Sequence, residues 1–142
     1  MVLADFVIGV EFETPREVRV VVYDNLKGFR IACSLYENRT LTKRKRKRNV
    51  FSETLGICHR FEHYDKEGHI KPLCAIVRLA KPHLGIGIVS HELAHAAVWM
   101  RSLNKDTEPL TDENDEPFVW LIGELISLTV DKMYALGVYD EE

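Results

Sequence analysis

A chain of 142 residues can enclose one hydrophobic core but not comfortably two, and with 46% hydrophobic and 29% charged residues it is neither disordered nor fibrous. No apolar run is long enough to cross a bilayer, and the opening MVLADFVIGVEFE has neither the basic start nor the small-residue cleavage site of a secretory signal. A single domain over 1–142, in the cytoplasm and off the membrane, is therefore expected. The net charge of −3 conceals opposed parts. Residues 1–104 carry 17 Lys and Arg against 11 Asp and Glu (+6), whereas residues 105–142 carry 2 against 11 (−9). Such parts can cancel across a fold or face separate partners, and charge alone does not choose.

In chain order, residues 6–13 (FVIGVEFE) and 17–23 (EVRVVVY) are rich in β-branched and aromatic residues and read as two paired strands, with Thr14, Pro15 and Arg16 between them. Asp24 and Asn25 can start a helix over Leu26–Asn38, whose apolar stripe of Leu26, Phe29, Ile31, Ala32 and Leu35 is interrupted by Gly28. The run Lys43-Arg44-Lys45-Arg46-Lys47-Arg48 is too costly to desolvate and marks surface. Residues 55–64 and Leu73–Ala80 form strand-like arms around the turn sequence Asp65-Lys66-Glu67-Gly68, with Leu73, Ala75, Val77 and Leu79 on one face of the second arm. After Lys81-Pro82-His83, residues 88–102 have helical spacing. A polar, acidic loop follows, and Pro117 opens a last helix that runs to about Leu136 and stops at Gly137. Cys33, Cys58 and Cys74 are odd in number and set among apolar neighbours, which is the pattern of buried thiols.

His91-Glu92-Leu93-Ala94-His95 is an HExxH sequence inside the predicted helix. Residues one turn apart share a face, so the two imidazoles can converge on one ion, and the intervening glutamate can act as general base on a metal-activated water. A catalytic zinc site commonly has a third protein ligand. All six histidines lie at or before residue 95, and the longer HExxHxxGxxH pattern is excluded because Val98 replaces its glycine and Arg101 its last histidine. A carboxylate is left. Glu116 and Glu124 belong to a helix that can hold a ligand rigidly, and Glu113 precedes it. Glu116, Trp120, Gly123 and Glu124 share one helical face, and Gly123 is expected to let that face approach the HExxH helix. Glu116 is preferred, with Glu124 and Glu113 open.

The stretch GIVSHELAHAAVW (residues 87–99), followed by EPFVWLIGEL (116–125), resembles small single-domain zincin-like metallopeptidases encoded by tailed bacteriophages. The resemblance covers roughly the last 60 residues. It implies a zinc ion, a minimal zincin-like fold, and Glu116 as third ligand, since a glutamate opens the corresponding helix in those proteins. HELAHAAVW is also similar to SprT-like proteases, but the later histidine that completes their site is missing here.

The expectation is thus an α+β fold, a small twisted sheet packed on the HExxH helix and a C-terminal helix. The expected activity is zinc-dependent peptide hydrolysis, with His91, His95 and Glu116 as ligands and Glu92 as base. A polypeptide substrate could add to Leu73–Ala80 if that strand is an edge, and the basic run could contact nucleic acid. The alternative is a zincin scaffold of phage type that occludes a host protein or nucleic acid without catalysis.

Overall fold

The computed structural model describes residues 1–41, 51–105 and 108–140, so the basic run at 43–48 lies outside the described residues. The elements are β1 (Val2–Phe12), β2 (Thr14–Tyr23), α1 (Leu26–Asn38), β3 (Gly56–Arg60), β4 (Leu73–Ala80), a 3-10 turn at Lys81–His83, α2 (Ile86–Leu103) and α3 (Glu116–Ala135). The architecture is α+β: one mixed sheet of order β1-β2-β4-β3 with three helices.

β1 and β2 pair antiparallel to the tip, Phe12 opposite Thr14, with Glu13 at φ 67° as the apex. Thr14, Pro15 and Arg16 therefore belong to β2 rather than to a connection. Proline is tolerated at this strand start, where a missing N–H does least harm. Arg16 is buried and donates to Asn104 Oδ1 at 2.9 Å, while Asn104 Nδ2 donates to Phe12 O at 2.9 Å, tying the hairpin tip to the end of α2.

β4 runs parallel to β2 and antiparallel to β3. Parallel neighbours need a crossover, and α1 together with β3 supplies it. β4 is thus interior rather than an edge, and both its faces are buried: Ala75, Val77 and Leu79 toward one layer, Ile76 and Ala80 toward the other. The outer strand beside it is β3.

α1 covers one face of the sheet. The Asn25 side chain caps it by accepting from the Gly28 N–H at 2.8 Å, and Phe29 and Cys33 pack on Val21, Tyr23, Ile76 and Ala80. Ile31 and Leu35, expected in the apolar stripe, are exposed, because the buried stripe turns instead through Phe29 and Cys33. The other face is covered by α2 and α3. Val89, Leu93 and Met100 of α2 and Leu121, Leu125 and Met133 of α3 meet Val18, Val20, Val22, Val77 and Leu79. Each large side chain buried in this way contributes about 1.5–3 kcal/mol. α3 ends where Gly137 adopts φ 74°, a conformation glycine reaches without penalty.

Candidate metal centre

α2 buries Val89, Leu93, Ala96, Ala97 and Met100, which leaves His91 and His95 on its solvent side and turns Glu92 inward. The histidine Nε2 atoms are 3.2 Å apart, with the rings at 82°. Two nitrogens on one tetrahedral zinc, each at about 2.0–2.1 Å, must lie roughly 3.3–3.4 Å apart, so the pair fits such an ion. The same distance also allows one imidazole to donate a hydrogen bond to the other. Among the described residues, His91, Glu92 and His95 form the one group of three or more metal-ligating side chains whose donor atoms lie close together, all within 4.8 Å.

Glu92 is the unusual member. Its carboxylate is buried, Oε1 lies 3.7 Å from His91 Nε2, and Oε2 has no hydrogen-bond partner in the protein. Burial pushes its pKa above the usual carboxylate value, and the neighbouring His91 and His95 pull in the opposite direction. Arg16 and Thr129 also carry buried polar atoms without partners, so an orphan atom alone does not define a site. Glu92 differs because a cleft of about 270 Å³, lined by Leu55, Gly56, Gly87, Ile88 and His91, opens beside it.

Gly56 is what lets β3 come this close. A Cβ there would lie 2.9 Å from Ile88 Cγ2 and 3.2 Å from Glu92 Cγ. The contact is fixed further along, where Trp99 Nε1 donates to Phe61 O at 2.9 Å. Sequence reasoning missed Leu55 and Gly56. The available signal was a glycine at the head of a strand pattern, which often marks close backbone approach.

The carboxylates considered as a third ligand are not brought to the histidines. Leu121, Leu125, Thr129 and Met133 form the buried stripe of α3, so Glu116, Trp120, Gly123 and Glu124 lie on the solvent side. Nothing comes within 4 Å of a Cβ built on Gly123, so it makes no close approach to α2. The apolar i, i+4 stripe, not the glycine, determines which face packs. Glu113 is exposed in the preceding loop.

The expectation of buried thiols holds for Cys33 and Cys74 and only partly for Cys58. Cys33 and Cys74 are buried and Cys58 half-buried, and burial pushes their pKa values up to about 12, 11 and 12 respectively. No family model, curated protein or solved structure matches the chain. Among the described residues no helix is long and apolar enough to cross a membrane.

Proposed function

We propose that this chain is a zinc-dependent peptide hydrolase in which His91 and His95 hold the ion and Glu92 is the general base. The observation that carries this reading is the convergence of two Nε2 atoms at 3.2 Å beside a buried carboxylate with one unpartnered oxygen. A bound zinc ion would supply Lewis acidity to a carbonyl and acidify water. Glu92 would take a proton from that water and pass it to the departing amine, a role suited by its raised pKa. Glu116 is the proposed third ligand, and binding would require its side chain to leave the solvent face of α3. Glu124 and Glu113 are the alternatives. A polypeptide in extended form could add to the outer strand β3, which borders the cleft. The phage origin implied by the resemblance, and the cytoplasmic location expected from the sequence, belong to the same proposal.

The test is elemental mass spectrometry on protein purified without a histidine tag. Near one zinc per chain is expected, lost in His95→Ala and weakened in Glu116→Ala, with the Glu124→Ala and Glu113→Ala variants separating the alternatives. Glu92→Gln should keep the metal and slow peptide hydrolysis by about 10²–10⁴-fold. A wild type that stays folded and takes up no zinc would sink the reading.

A second reading, a zincin-like scaffold that binds and occludes a host protein or nucleic acid, is favoured by one observation. The cleft at Glu92 has about 270 Å³, whereas concave surfaces of about 690 and 680 Å³ lie along α1 and α3. The basic run at 43–48 would serve a nucleic-acid partner. A tight partner that survives intact, and whose binding ignores Glu92→Gln, would favour this reading over hydrolysis.

A further inference from the structure

We propose that copies of this chain associate head to tail, with the acidic, apolar outer face of α3 of one copy seated in the basic, apolar groove along α1 of the next.

The groove along α1, about 690 Å³, has Lys27, Arg30 and Arg39 around Ile31, Leu35 and Phe51, and among the described residues no acidic side chain lines it. The surface along α3, about 680 Å³, has Glu116 and Glu124 around Val119, Trp120 and Leu128, and among the described residues no basic side chain lines it. Each therefore joins apolar area to one sign of charge, and the two signs are opposite. Leu35 is 69% exposed and Trp120 73%, values that leave large hydrophobic side chains in water. Among the described residues, the ion pairs within the chain involve none of Lys27, Arg30, Arg39, Glu116 or Glu124.

The occupant follows from topology. α1 packs on one face of the sheet and α3 on the other, so the sheet separates the two surfaces and no chain can join its own pair. Symmetric pairing is disfavoured, because α3 against α3 sets Glu116 and Glu124 on their own copies, and α1 against α1 does the same with Lys27, Arg30 and Arg39. Pairing α3 with α1 covers the apolar side chains and matches the charges. Because the two patches differ, the contact is heterologous and each copy keeps one free surface, giving rings or open chains. Trp120, the large exposed aromatic that lines its surface, is the anchor.

The experiment is sedimentation velocity on the full chain over micromolar to millimolar concentrations, with a chelator present and again with added zinc. At low salt the weight-average mass should climb past the 16.4 kDa of one chain, and association should weaken about tenfold or more as salt shortens the screening length. Leu35→Asp and Trp120→Asp change exposed positions, and each should hold the protein as a monomer. Mixed in equal amounts, the two variants should form a heterodimer and nothing larger, since each retains the surface the other has lost. A wild type monomeric throughout would overturn the proposal. So would association that either variant leaves intact, a mixture that stays monomeric while the wild type associates, or association that appears only with zinc.

Discussion

On the α1 side of the sheet a histidine is buried and hydrogen-bonded, whereas on the α2 side two histidines stand in solvent beside a carboxylate that is buried and half unpartnered. His59 accepts from Arg78 Nε at 3.2 Å and lies against Tyr36, with ring centroids 3.9 Å apart and planes tilted by 33°, while Arg78 also donates to the Tyr23 hydroxyl at 2.6 Å. Burial, with help from Arg78 and Arg39, pulls the His59 pKa down to about 4. That histidine is kept neutral, and its network is a packing device. At Glu92 desolvation is incurred without a full set of partners, which a fold tolerates where another group completes the shell. The contrast separates a satisfied polar cluster from an unsatisfied one across a single sheet.

The first test of this contrast is the pH dependence of stability. His59 has a folded pKa of about 4 against an ordinary 6.5, so between these values the unfolded chain binds a proton that the folded chain refuses. Its contribution is full above pH 6.5, is lost as pH falls, and is gone by about pH 4, a span of about 1–2 kcal/mol once solvent screening is allowed for. Urea unfolding across this range should show the decline. In His59→Gln, which can still accept from Arg78 and does not titrate, the slope should flatten. An unchanged slope would remove His59 from the structural side of the comparison.

Gly56→Ala probes the other side. The added methyl meets Ile88 and the Glu92 stem, and overpacking of this kind costs about 1–3 kcal/mol. Denaturant midpoints should fall accordingly, and an unaffected midpoint would mean that β3 and α2 are not in firm contact at the cleft. The smallest effect is expected of Glu92→Gln in metal-free protein. The raised pKa of Glu92 means that its contribution is full below the ordinary carboxylate value and is lost as pH rises through the folded value. Removing the charge should therefore stabilise the metal-free protein at pH 7, by up to about 1 kcal/mol, with the gain shrinking toward pH 4. A metal-free Glu92→Gln protein less stable than wild type at pH 7 would break the contrast.

Much of this was legible in the sequence because it is local. The one-turn spacing of His91 and His95, the cap at Asn25, the stop at Gly137 and the turn near Gly68 depend on a few neighbouring residues. What was illegible is long-range. No local pattern puts β4 between β2 and β3, and nothing beside Gly56 announces that α2 will cross over it. Glu116 shows the limit most clearly. Its place at a helix start could be read, but its direction depended on a stripe, Leu121 through Met133, whose burial required the whole sheet.

The parallel pairing of β2 with β4 also orders events in time. Val20 opposes Val77, and a contact that distant must await closure of a long loop, whereas the β1–β2 hairpin can form at once. The two histidines face one another as soon as α2 is helical, but Glu92 becomes buried only after β3 and β4 have docked. A full chain refolding from denaturant would therefore present its pair of imidazoles before it had desolvated the Glu92 carboxylate, and the kinetics of acquiring the first should run ahead of those of the second.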